Sequence, residues 1–223
     1  MINPEPILLT LKLALLTVLI LLCVSLPFAW WLSRTKSRFK PLLESITALP
    51  LVLPPTVLGF YLLILLGQNG WLGSLWMELT GSALAFSFAG LVIASCFYSL
   101  PFVVQPLQTA FEKLDYKTIE AAYTLGASRF RTFCFVVMPM IRRGFITALV
   151  LGFAHTVGEF GVVLMVGGNI PGETQVISIA IYEAVETLDY GSAHWMSMGL
   201  LLFSTLVLML VYSFNRKWSV SHV

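Results

Sequence analysis

Two short stretches of this chain combine residue types and spacings that could do chemistry. The first is Glu120-Ala121-Ala122, followed by Gly126 and closed by Pro139. A carboxylate beside small side chains on a helix can engage an arginine or a backbone donor of another protein, and the alanines let that surface approach. Gly126 supplies a stop and a tight turn. The second is His155 and Glu159, whose i, i+4 spacing would put them on one helix face and allow a proton relay. His155, His194 and His222 fall on different segments, and Cys23, Cys96 and Cys134 have no ligand spacing, so no metal site is expected. The cysteines read as packing residues. The chain has no GxxxxGK[ST] phosphate loop, so any ATP must be bound and hydrolysed by another subunit. No cofactor of its own, no catalytic residue and no nucleic-acid partner are expected.

The elements that must position these residues are set by composition. Hydrophobic residues make up 58% of the chain and charged residues 11%, and the mean hydropathy is +0.88, so this is an integral membrane protein in contact with lipid. Long apolar runs without period-2 alternation require helices rather than a barrel. The sequence predicts an all-α fold, one transmembrane domain over residues 1–223, with five spans at about 7–32, 42–66, 84–106, 141–166 and 194–214. Pro27, Pro50, Pro54, Pro55 and Pro101 fall inside three of these spans and should bend them toward protein.

Orientation follows from Lys and Arg. Of the 13 basic residues, all but Lys12 fall after span one, between spans three and four, or after span five. That side is the cytoplasm, which puts the N-terminus and segments 67–83 and 167–193 outside and the C-terminus inside a plasma (inner) membrane of bacterial type. The start Met-Ile-Asn-Pro-Glu-Pro lacks a basic region ahead of the apolar run, so the first segment reads as a span rather than a cleaved signal.

Residues 107–140 are long for a connection and patterned rather than loop-like. Tyr116 to Ala122 reads as a helix capped by Asp115, and a second short helix should run from Ser128 to Val137 before Pro139 resets the chain direction. Local physics allows either an amphipathic helix on the inner leaflet or a docking helix.

The spacing of the whole stretch separates these readings. Gly126 lies three residues past Ala122, Val136 ten past Gly126, and Met138-Pro139 closes the run. This resembles the EAA loop of membrane subunits of ATP-binding-cassette importers, with Val and Met in the places of that pattern's Ile and Leu. The resemblance implies a type I importer permease fold with short cytoplasmic coupling helices, in which Glu120, Ala121, Ala122, Gly126, Val136 and Pro139 dock an ATPase subunit. It also implies a homodimer, two cytoplasmic ATPase subunits and an extracytoplasmic oxyanion-binding protein. Residues 49–59, Gly158-Glu159-Phe160-Gly161, and Gly168-Asn169-Ile170-Pro171-Gly172 with Thr174 and Gln175 are similar to molybdate permeases. Sulfate and tungstate permeases share parts of the pattern, so molybdate ranks first on resemblance alone.

A path for a dianion through low dielectric needs neutral donors, because a fixed cation at mid-depth would hold the ion too well. Pro54, Thr56 and Gly59 in span two, and Thr156, Gly158 and Glu159 in span four, are the candidates for a pathway or gate, although each proline and glycine could equally serve helix packing. If span four is one helix, Glu159 lies 18 residues past Ile141, roughly 27 Å along it at ~1.5 Å per residue and near the outer face. Lys12 sits at a similar depth; an ion pair between them, within one chain or across a dimer, stands against independent snorkelling of both side chains to the headgroups. A proton-coupled secondary carrier using His155 and Glu159 is the alternative from another class. It leaves the 107–140 loop unexplained.

Overall fold

A computed structural model of the chain describes residues 4–219. The side chains of Arg216 and Lys217, assigned above to the cytoplasmic side, and all of His222 lie outside the described residues.

Helix α1 (Glu5–Arg34) carries one buried stripe, Leu13, Ala14, Val18, Leu21 and Leu22, continuing through Ala29 to Leu32. These positions recur every three or four residues and so occupy one face, while Leu8, Leu15 and Leu19 on the other face are exposed, as lipid contact requires. Pro27 lies inside α1 without ending it. Helices α2 (Lys40–Val52) and α3 (Pro55–Leu66) cover what the sequence presents as a single second span. They meet at 111°, a sharper change than a bend. The cause is local: a residue before proline is driven out of the helical region, and Leu53 and Pro54 both precede prolines and are both extended, at ψ 136°.

After α4 (Trp71–Thr80), α5 (Phe88–Glu112) forms the centre of the bundle. Half of its most apolar window is buried against protein, whereas in α11 (Tyr190–Ser219) the figure is 6%. Most of α11 is therefore left for lipid or another chain. Helices α6 (Tyr116–Thr124) and α7 (Arg129–Thr132) follow. A π-helical turn, Phe133–Val137, then joins α7 to α8 (Met138–Val157) in one apolar run. Pro139 does not reset the chain direction, contrary to expectation. It stands inside the continuous helical run Arg129–Val157, directly after the π turn, which accommodates the helical bond that its missing N–H cannot make.

Span four also differs from its sequence reading. It ends as α8 at Val157, breaks through Gly158, Glu159 and Phe160, and resumes as the short α9 (Gly161–Gly167). Helix α10 (Ile177–Glu186) then precedes α11. Among the described residues four helices are long and apolar enough to cross a membrane, and the broken α2/α3 pair makes a fifth crossing if it counts as one.

The core is layered along the bundle. At the α6 end, Val18 and Leu22 of α1, Val104 and Leu107 of α5, and Val137 and Ile141 share a cluster with Ile119 of α6. At the opposite end, α3, α5 and α9 pack through Leu62, Leu66, Ala94, Val162 and Val166. Close approach of helices depends on missing side chains: a Cβ on Gly144 would fall 2.3 Å from Ala110, and one on Gly152 2.5 Å from Val103. Both glycines set the α5–α8 crossing distance.

Candidate functional site

The 107–140 segment is folded onto the bundle rather than loose on it. Asp115 caps α6, its carboxylate accepting from Lys117 N at 3.0 Å. Ile119, 2% exposed, is the one side chain of α6 sunk into the core. The remaining surface faces outward: Glu120 and Ala121 are exposed and Ala122 is half-buried. Gly126 adopts φ +81°, the left-handed region, and a Cβ there would meet nothing within 4 Å. The glycine is needed for backbone conformation, and the space beside it is empty of this chain. Ser128 then caps α7 through Arg131 N at 3.3 Å. Val136 is half-buried in the π turn and Pro139 is exposed. Arg34 ties α1 to this region, its guanidinium 3.3 Å from the Trp30 ring and 4.7 Å from that of Tyr116.

The residues singled out for a pathway or gate gather at the other end, where the two helix breaks pack on each other. A Cβ on Gly161 would lie 2.7 Å from Cβ of Pro55, and one on Gly59 2.8 Å from Cβ of Met165. Gly59 is thus buried at the α3–α9 crossing, while Pro54 and Thr56 at the head of α3 are exposed. Thr156 is buried, donates to Gly152 O at 3.0 Å and lies 2.9 Å from Ser99 Oγ. Gly158 is exposed, with φ −88° that any residue can adopt.

Glu159 is only 3% exposed, and its carboxylate makes no hydrogen bond of ordinary geometry; the Ser95 hydroxyl of α5, which has no other partner, is the polar group that faces it. Within the chain, Lys12 does not pair with Glu159. Lys12 Nζ rests 4.6 Å from the Phe88 ring centroid, and the break after Val157 turns Glu159 into the protein interior. The same break removes the shared helix face assumed for a His155–Glu159 relay. His155 is instead held by packing, its Nδ1 2.9 Å from Ser99 Oγ and its ring stacked on Phe102 at 3.8 Å.

The stretch after α9 is pinned over this break. Thr174 donates to Gly167 O at 2.7 Å and accepts from Ile170 N at 3.1 Å, and Ser178 donates to Glu159 O at 2.5 Å. Gly168 and Gly172 have φ of +66° and +79°, the turns that double this loop back. Gln175 donates to Asn169 at 2.8 Å and to Glu183 at 2.5 Å. On α10, Tyr182 donates to Glu186 at 2.6 Å, and that carboxylate holds the phenol above its ordinary range.

A cavity of about 650 Å³ between α5 and α8 brings together residues that the sequence reading missed. Its α6 end is lined by Lys113 and Arg143, and farther in Gln105, Thr109 and Thr147 present neutral donors. Phe102 and Leu151 close its depth. Gln105 and Thr109 are exposed although they lie on the most buried helix of the bundle. Their i, i+4 spacing on an apolar span was the available signal, since polar side chains on a spanning helix seldom face lipid. Beside this cavity Lys40 bridges Glu112 at 3.1 Å, and Gln108 reaches Glu44 at 2.6 Å, which clamps α2 to α5. Among the described residues no group of three His, Cys, Asp or Glu could hold a metal ion.

An exposed, capped helix at one end of an all-α bundle, and broken spans at the other, can be compared with known proteins. The family model described as "Binding-protein-dependent transport system inner membrane component" matches residues 25–220. The chain belongs to this family. It is 57% identical to "Molybdenum transport system permease protein ModB" of Azotobacter vinelandii over 93% of this chain and 92% of that relative. With the protein of that name from Escherichia coli (strain K12) it shares 41% identity over 82% and 80% of the two chains. "Sulfate transport system permease protein CysT" of Synechocystis is more distant, at 35% over 85% of this chain and 66% of that one. Among solved structures, a bacterial ABC transporter involved in the import of the acidic polysaccharide alginate matches with a TM-score of 0.73 at 17% identity, covering 96% of this chain and 78% of that one. That likeness establishes the type I importer permease fold, and the family places the chain in the inner membrane as a transport subunit rather than an enzyme.

Proposed function

We propose that this chain is the membrane-spanning permease subunit of an ATP-driven oxyanion importer whose cargo is molybdate. The observation that carries the reading is α6: one buried side chain anchors it, and Glu120, Ala121 and the left-handed turn at Gly126 face outward with empty space beside them. A surface so constrained and so uncovered suits the groove of a cytoplasmic ATPase subunit. The cargo is taken from the ModB relatives.

In this reading two copies of the chain form the pathway, because one set of spans is too few to enclose it, and the sparsely covered faces of α8 and α11 would lie toward the second copy or lipid. Two ATPase subunits dock on the α6 helices and close on ATP, which shifts the population between inward- and outward-facing arrangements. The N-terminus lies outside and the C-terminus in the cytoplasm, so an extracytoplasmic binding protein delivers the oxyanion to the α3/α9/α10 end. The dianion then moves along the α5–α8 cavity past Gln105, Thr109 and Thr147, neutral donors that bind weakly enough to release, toward Lys113 and Arg143 at its inner mouth. Pro54, Thr56, Gly59, Thr156, Gly158 and Glu159 form the hinge and gate beyond that cavity. No cofactor is held by this chain, and ATP is bound on the partner subunit.

Reconstitution with the ATPase and the binding protein in liposomes tests the assignment. Labelled molybdate should enter only with ATP and the binding protein present, with competition by tungstate and little by sulfate. Inhibition by sulfate at equal concentration would make a sulfate permease the better reading.

A further inference from the structure

Behind α6, a second cavity of about 340 Å³ is lined by Trp30 and Arg34 of α1, Tyr123 of α6, and Arg129 and Thr132 of α7. Two cationic side chains line it and no carboxylate does. Thr132 is 1% exposed, and its hydroxyl has no hydrogen-bond partner; Nη2 of Arg34 is likewise buried and without one. Stacking on Trp30 and Tyr116 accounts for the face of the Arg34 guanidinium but not for its edge donors. A buried hydroxyl and a buried guanidinium edge, each left without an acceptor, are costly unless something supplies the acceptors.

A tetrahedral oxyanion matches these demands. It offers several acceptor oxygens to guanidinium N–H donors and a hydroxyl, and its charge offsets that of two arginines brought close in a partly dry site. We infer that this cavity binds a tetrahedral oxyanion through Arg34, Arg129 and Thr132. The site is separate from the α5–α8 cavity, with no lining residue except those of its own wall, and its occupant would touch Tyr123 on α6 and so bear on the seating of that helix. The ion can come from two sources, a free oxyanion such as phosphate or a phospholipid headgroup, which share this chemistry.

The test uses the full chain purified with its ATPase partner, without the binding protein. One arm measures equilibrium binding of labelled inorganic phosphate in detergent after delipidation. The other quantifies anionic phospholipid that remains bound per chain in native mass spectrometry. Arg129→Gln and Thr132→Val should each weaken whichever ligand is found by about tenfold, as loss of one charge-assisted hydrogen bond does, and Thr132→Ser should restore it. Thr132→Val keeps the shape of the side chain, so a matched thermal unfolding midpoint without ligand separates lost binding from lost folding. Phosphate binding lost in both variants supports a free ion, and lipid retention lost in both supports a headgroup. If neither ligand binds, or both bind undiminished to Arg129→Gln and Thr132→Val, the site assignment is overturned.

Discussion

The two regions that carry the motif residues of this chain are built on opposite plans. Around α6 the marked residues point away from the protein: Glu120, Ala121 and Gly126 are exposed, and Ile119 is the one α6 side chain sunk into the core. Around the paired helix breaks the marked residues point inward: Gly59 and Gly161 are packed against Met165 and Pro55, and Glu159 is sealed with the Ser95 hydroxyl facing it. An outward-facing residue that no intramolecular contact requires is explained by a partner. An inward-facing glycine is already explained by the helix it lets through.

The largest effects should come from breaking the inward region. Gly161→Val and Gly59→Val place branched side chains where even a Cβ would sit 2.7 Å from Pro55 or 2.8 Å from Met165. Overpacking of this kind costs about 1–3 kcal/mol and more where the neighbour cannot yield. The ring of Pro55 is the stiffer neighbour, so Gly161→Val should be the more damaging. Size-exclusion profiles and thermal unfolding of the purified variants measure it. Unfolding midpoints equal to the parent's would mean that the α3–α9 crossing is loose, and would remove the packing account of both glycines.

Gly126→Val should separate the regions. Strain at φ +81° costs about 1–2 kcal/mol, but among the described residues nothing beyond the adjoining chain lies within 4 Å of the new Cβ. The variant should therefore still fold and insert, yet lose ATPase association and ATP-driven uptake. Gly126→Asn, whose side chain tolerates the left-handed region, should retain more of both. Co-purification of the ATPase with each variant reads this out. Equal retention by Val and Asn would show that the turn has no bearing on docking.

The contrast also explains what was legible in the sequence. Apolar run length marked α1, α5 and α11, because a membrane span is a local property of composition. The α6 helix, its Asp115 cap and the Gly126 turn were legible for a related reason: capping and left-handed turns are set within a few residues. The proline pair was recognised as a bend, but its size was not, since 111° follows from two successive pre-proline residues together with the packing of α3 on α9. Span four was read as continuous because Gly158, Glu159 and Phe160 contain no proline. What ends α8 there is tertiary: Gly161 seated under Pro55, and Ser178 donating to the Glu159 carbonyl. With that break, Glu159 leaves the helix face it would have shared with His155, and within the chain it does not meet Lys12. Gln105, Thr109 and Thr147 were overlooked because polar residues on separate spans become a set only when α5 and α8 are packed.

A smaller effect sharpens the outward region. Asp115→Ala removes the acceptor for Lys117 N and should cost α6 about 1 kcal/mol. Since Ile119 remains anchored in the core, the helix should fray at its first turn without detaching. Faster amide hydrogen exchange confined to the first turn of α6, together with a modest loss of ATPase affinity, is the expected pattern. Exchange accelerated along the whole of α6 would mean that Ile119 is not a sufficient anchor.

The smallest effect expected is none at all, and it bears on the inward region. Lys12 lies against Phe88 and Glu159 lies behind the break, so a double-mutant cycle of Lys12→Gln and Glu159→Gln should give additive changes in stability. Glu159→Gln by itself should not destabilise the protein, because an amide of the same shape can keep the Ser95 hydroxyl as its neighbour and is cheaper to bury than a carboxylate. A coupling above about 0.5 kcal/mol between the two positions would bring them back into contact. It would also require Glu159 to leave the interior behind the break in the state being measured.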